Sequence, residues 1–172
     1  QAMKLLGAAQ KSFPQEVGPF LTEAQIHLAR NDLTNALRVL ARQIAVQTNN
    51  VAALIDCGVV RMRTEGSQAA IPLFSRALAL APDNSFALRN RALAYLDHGN
   101  FDAALKDYQT LLATLPKPPH WVHYGLGEVF FKKKNAAKAI EHYQKYLKLA
   151  PKGLPEIQTV KERIQKLKSG TF

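Results

Sequence analysis

Apolar side chains recur along this chain at spacings of three and four, the period of a helix with one buried face. Ile55, Val59 and Met62 share such a face. So do Phe86, Leu93 and Leu96 around Arg89, and Trp121, Tyr124 and Phe131 around Glu128. No stretch alternates in the manner of a strand. Two of the helical patterns close in similar words, ALALAPDN at 77–84 and YLKLAPKG at 146–153. Proline lacks an N–H and crowds the preceding turn, so Pro82 and Pro151 each stop a helix. Aligning on these prolines reveals an internal repeat of 34 residues.

Within 51–84 the frame places Leu54, Gly58, Ala70, Phe74, Ala77 and Pro82 at its recurring points. In 85–118 the same points hold Leu88, Ala92, Ala104, Tyr108, Leu111 and Pro116, with Tyr95 and Gly99 also in place. After one inserted residue, Pro119, the unit 120–153 holds His123, Gly127, Ala139, Tyr143, Tyr146 and Pro151. The unit 17–50 is weaker but keeps Phe20, Ala24, Ala36 and Leu40. Small residues belong where two helices approach closely, and Phe74, Tyr108 and Tyr143 are large enough to fill the space between hairpins. Asn31, Gly99 and Asn135 fall near the turn inside each hairpin, where a left-handed residue is useful. The frame predicts nine antiparallel-paired helices, with breaks near 14, 31, 49, 66, 83, 99, 118, 135 and 154.

This pattern of large, small and aromatic residues, then Ala-aromatic-Ala-Pro, resembles the tetratricopeptide (TPR) repeat family. The departures are modest: Thr48 stands for the proline of the first full unit, Glu65-Gly66 displaces the turn glycine by one, and Pro72 sits early in a second helix. The resemblance implies an all-α, right-handed superhelical solenoid, one domain over 1–172, whose first helices line a concave groove. It also implies that the groove holds a partner protein. Groove-facing points of the motif fall on Leu21, Leu28, Ile55, Val59, Met62, Phe86, Arg89, Leu93, Leu96, Trp121, Tyr124, Glu128 and Phe131. Together they describe an apolar and aromatic trough, with Phe86, Arg89, Trp121 and Tyr124 expected to converge. Some TPRs grip a ligand's terminal carboxylate with a Lys/Asn/Asn/Lys/Arg clamp. Here Ile55 and Val59 occupy clamp points in one register, and Leu21, Gln25, Asp56 and Phe86 in the other. That clamp is absent. Asn90 alone matches in type, and similarly placed asparagines in some TPRs hold an extended peptide backbone.

The frame accounts for both ends as well. Run backwards, it makes 1–16 the second helix of a hairpin whose first helix lies upstream, leaving Met3, Leu5 and Leu6 a bare face that could self-associate. The first residue is not Met, and the expectation is a piece cut from a larger, bacterial-type protein. Run forwards, 154–172 reads as a capping helix opened by Pro155, with Ile157, Val160, Ile164 and Leu167 inward and Lys161, Arg163, Lys166 and Lys168 in water.

Composition adds limits. At 47% hydrophobic and 21% charged, the chain is of ordinary globular make-up, and no run is long enough to span a bilayer. Cys57 is alone and has no partner for an internal disulfide, so the compartment stays open, with the cytoplasm favoured. The net charge of +10 is uneven: residues 132–172 carry 11 basic and 3 acidic side chains. Such an end attracts acidic surfaces or nucleic acid, yet a solvated cap is the favoured reading. Lys132, Lys133 and Lys134 suit the end of a helix, where cations complement its dipole.

Chemistry is sparse. His120 and His123 could form two metal ligands, with His142 or Glu128 as a third, but zinc sites want three or four, and His123 sits at a core point. Cys57 also falls at a core point. No enzyme site, cofactor or metal is expected. The favoured function is a protein-interaction scaffold taking an apolar or aromatic peptide or helix. Two other readings stand beside it: an accessory domain that recruits substrates for an enzyme elsewhere in a longer chain, and nucleic-acid or anionic-surface binding through the basic end.

Overall fold

A computed structural model describes residues 2–12 and 18–170, with side chains for 3–9 and 22–170. The described residues form ten α-helices: α1 Ala2–Ser12, α2 Gly18–Ala29, α3 Leu33–Val46, α4 Val51–Thr64, α5 Ser67–Leu80, α6 Ser85–Asp97, α7 Phe101–Thr114, α8 His120–Lys132, α9 Ala136–Leu149 and α10 Glu156–Lys168. The fold class is all-α. Nine breaks separate ten helices, not nine, and eight of them fall where the repeat frame puts them. The first, near 14, lies outside the described residues.

Several of the turns are closed by polar chemistry. Asp32, Asn50, Asn100 and Asn135 cap the helices that follow, their side-chain oxygens accepting from the N–H of Asn35, Ala53, Ala103 and Lys138. A cap of this kind stabilises a helix by about 1 kcal/mol. Asn135 is therefore a cap with φ −96°, and the left-handed residue of its turn is Lys134, at φ 55°. Asn31 and Gly99 do adopt positive φ, at 56° and 84°. Lys134 occupies the frame point of Gly99 and Asn135 that of Asn100, so turn and cap are one residue apart in both units. α5 runs through Pro72, its sixth residue, which is exposed.

The chain divides into two compact units, residues 1–94 and 95–172. In the first, α2 pairs with α3 and α4 with α5, while α3 also packs on α4. Its core gathers Ala24, Ala36, Val39, Leu40, Ala53, Cys57 and Val60. Leu28, expected on the groove, is half-buried and packs against this core. Gly58 lets α4 close on α5, because an added Cβ there would overlap the Phe74 ring, itself fully buried. In α1, Leu5 is 67% exposed while Met3 and Leu6 are half-buried.

The second unit repeats the device. Gly127 of α8 lies on the Tyr143 ring of α9, and Gly125 on the Tyr108 ring of α7. α10 packs on α9 and buries Val160, Ile164 and Leu167, with Ile157 half-buried. Lys161, Lys166 and Lys168 are exposed, but Arg163 is not the water-facing residue the capping pattern suggests. It turns inward to the Glu128 carboxylate, since that half-buried charge would otherwise stand without a cation.

Candidate functional site

A cleft of about 520 Å³ lies in the first unit between α4 and α6. Val51, Ala52, Ile55, Asp56 and Val59 line it from α4, Phe86 and Asn90 from α6, and Asn84 from the turn before α6. The spacing 52, 55, 56, 59 is one face of a helix, which is why these residues meet the cleft together. Ile55 forms its floor and is buried, Val59 is half-buried, and Phe86 stands 68% exposed at its lip.

Polar groups are placed sparingly. The Asn90 Nδ2 donates to the Phe86 carbonyl at 2.8 Å, which leaves its Oδ1 as an acceptor. The Asn84 Oδ1 accepts from the Ala87 N–H at 3.0 Å, which leaves its amide N–H groups as donors. The Asp56 carboxyl is half-buried, and burial alone pushes its pKa above the ordinary 3.8. Of the other expected groove residues in this unit, Arg89 is exposed, Met62 and Leu93 are half-buried, and the Leu21 side chain lies outside the described residues. Asp56 lines the cleft without standing at an expected groove point. It was noted only as a mismatch to the carboxylate clamp, and only its spacing from Ile55 and Val59 hinted that it shares their face.

The remaining expected groove residues belong to the second unit. Trp121, Tyr124 and Phe131 of α8 are all half-buried. The Tyr124 ring lies 5.2 Å from that of Tyr146. The Arg163 guanidinium sits 5.0 Å over the Phe131 ring, a cation–π contact. Tyr143 donates its hydroxyl to Glu128 at 2.7 Å, and Arg163 donates to the same Oε1. Burial first, then the bond to Glu128, pushes the Tyr143 pKa far up. The Glu128–Phe131 end of this face is thus engaged by α10. The expected convergence of Phe86 and Arg89 with Trp121 and Tyr124 joins residues of different units.

His123 pairs with His142 and not with His120, the neighbour that helical spacing offers it. His123 Nδ1 lies 3.2 Å from His142 Nδ1 in the interior, one ring donating and the other accepting, and His142 stacks on Phe130. Burial lowers both pKa values, that of His142 to about 4. The His120 ring lies 5.9 Å from that of Tyr146. Among the described residues no cluster of three or more His, Cys, Asp or Glu could hold a metal ion. Cys57 is buried, and burial pushes its thiol pKa up, away from the reactive thiolate. Lys133 of the basic run pairs with Asp102 at 2.5 Å. No helix among the described residues is long and apolar enough to cross a membrane.

Comparison with known proteins gives one answer from several directions. Three overlapping stretches, 21–85, 55–119 and 89–153, match the model for the tetratricopeptide repeat. The BBSome complex member BBS4 of Bos taurus is 26% identical over 133 residues, covering 77% of this chain and 25% of its own length. The chain spans a quarter or less of the curated relatives it matches. Among solved structures, a tetratricopeptide repeat protein of Parabacteroides merdae superposes with a TM-score of 0.80 at 17% identity, over 96% of this chain and 64% of that one. MamA of Desulfovibrio magneticus superposes at 0.74 and 21% identity, over 87% and 92% of the two chains. At these identities the structural likeness speaks for the fold.

Proposed function

Because this chain belongs to the tetratricopeptide repeat family, whose arrays serve as protein-interaction scaffolds, we propose that its α4–α6 cleft takes an apolar or aromatic segment of a partner protein. The observation that carries this reading is Phe86, a large aromatic side chain left 68% exposed beside an apolar cleft of about 520 Å³. Ordinary surfaces bear single exposed apolar residues, but an aromatic lip over an apolar floor with a few polar groups is the usual make-up of a binding site. Ile55 and Val59 form the floor, Asn90 supplies an acceptor for a peptide N–H, and Arg89 lies on the exposed side of the same helix. Burying three such side chains would contribute roughly 1.5–3 kcal/mol each before the entropic cost of association.

A library of random 12-residue peptides displayed on phage tests this. Clones enriched on the wild-type protein should compete for one site, be weakened on Val59→Ala and be lost on Phe86→Ala, with both variants keeping the wild-type melting temperature to within a few degrees. Enriched peptides that bind both variants undiminished would place the ligand elsewhere, and a library yielding no specific clone would reject the groove.

A further inference from the structure

The cleft between α4 and α6 holds one group that its apolar walls do not explain. Asp56 stands one residue from Ile55 and three from Val59, so its carboxyl shares their face of α4 and lines the same cleft. Burial perturbs it, and among the described residues no cation or hydrogen-bond donor offsets the effect. The cations nearest in sequence are committed: Arg61 lies 3.7 Å from Glu65 and Arg63 donates to Asn31. In the second unit, the partly buried Glu128 is met by both Arg163 and Tyr143. Asp56 has no such answer among the described residues. A carboxylate beside apolar walls, without a partner, is costly unless something outside the chain supplies the charge.

We propose that Asp56 makes this cleft selective for a peptide bearing a lysine or arginine, the aliphatic stem lying along Phe86 and Val59 and the charged head on the Asp56 carboxylate. The proposal rests on the reading that the cleft binds peptide, and it names the chemistry recognised there. The walls suit the occupant: a long basic side chain is apolar along its stem and charged only at its tip. A purely apolar side chain would fill the floor but bury the carboxylate further. An acidic one would bring like charges together. The two amides fit a peptide main chain alongside, since Asn90 keeps an acceptor and Asn84 keeps donors after their bonds within the fold. A charge-assisted hydrogen bond in a partly desolvated cleft has the strength to select one side chain among many.

The test is a synthetic array of 12-residue peptides with every position varied, bound to the wild-type protein, Asp56→Asn and Phe86→Ala. Asn has the shape of Asp without its charge, so the first variant should fold with an unchanged or higher melting temperature. The expected result is a preference for Lys or Arg at one position, and about tenfold weaker binding of those peptides to Asp56→Asn. Replacing that lysine by norleucine should cost the wild type the same factor and cost Asp56→Asn nothing further. Raising sodium chloride from 0.1 to 0.5 M should weaken only the basic peptides. A basic preference that survives in Asp56→Asn, or norleucine binding as well as lysine, overturns the proposal. Peptides that need Phe86 but show no basic preference overturn it while leaving the cleft a binding site. No binding by any peptide rejects both.

Discussion

One register of one repeat meets two fates in this chain. The first helix of each hairpin presents a face at the same frame points, and in the first unit that face bounds a cleft: Ile55 and Val59 from α4, Phe86 and Asn90 from α6. In the second unit the corresponding face of α8 is occupied. Glu128, at the frame point of Val59, is joined to Tyr143 and Arg163, and Phe131, at that of Met62, lies beneath the Arg163 guanidinium. The difference is made by α10, whose side chains reach the face that would otherwise be open. Exposure of a repeat's groove face is thus set by what packs beside it, and charge placed at such a point reports whether the chain itself has answered it.

The largest effect should come from the side chain under the closed face. Tyr143→Ala removes a fully buried ring seated on Gly127 together with the hydroxyl that Glu128 and Arg163 share. It should cost about 3–5 kcal/mol in denaturant unfolding. Glu128→Ala keeps the ring but leaves Arg163 half-buried without its carboxylate, for an expected loss of about 1.5–3 kcal/mol. Val59→Ala, at the same point of the open face, should lose about 1 kcal/mol or less. Equal losses at Glu128 and Val59 would mean that α10 closes nothing.

Much of this was legible in the sequence because it repeats. Proline stops, small residues opposite aromatics, and turn residues recur every 34 positions, so each independent copy reinforces the others. Gly58 against Phe74 and Gly127 against Tyr143 are where the frame puts a close approach. The site was less legible, since a frame says which way a residue points and not what covers it. Leu28 and Arg163 show the limit. Leu28 occupies a groove point yet is half-buried against the core, and Arg163 looks like one more surface cation in a basic helix until Glu128, 35 residues earlier, is seen beside it. Turn and cap were confused at Asn135 because both roles favour asparagine, and only the backbone angle separates them.

The units should also differ in their response to acid. In the second, His142 titrates at about 4 in the fold against an ordinary 6.5, chiefly through burial and then through His123, whose own value is lowered as well. Lys145 and Lys138 oppose a charge there and Glu141 favours one, all three from α9. The unfolded chain therefore takes up protons first as pH falls. The stabilisation these rings contribute is fully present above about 6.5 and is lost progressively toward 4. The melting temperature should drop across that window, and His142→Asn, which cannot be protonated there, should flatten the slope even if it lowers stability throughout. Asp56 runs the other way: its pKa is raised, so protonation at low pH relieves the first unit instead of loading it. An acid response unchanged by His142→Asn would locate the sensitivity elsewhere.

The smallest expected effect is the most discriminating. Phe86 is 68% exposed, so truncating it removes few contacts within the fold, and Phe86→Ala should change stability by no more than about 0.5 kcal/mol. Trp121 holds the same frame point on α8 but is half-buried, and Trp121→Ala should cost clearly more, though less than the 3–5 kcal/mol of a fully buried aromatic ring. Thermal and denaturant unfolding of the two variants gives the difference directly. If Phe86→Ala proves as damaging as Trp121→Ala, its ring is part of the packing in solution, and an aromatic that holds the fold together is not free to meet a partner. If it is silent in unfolding while abolishing peptide binding, the side chain serves only what lies outside the chain. That outcome separates an open groove face from a closed one more sharply than any buried substitution can, because the measured loss then belongs to recognition alone.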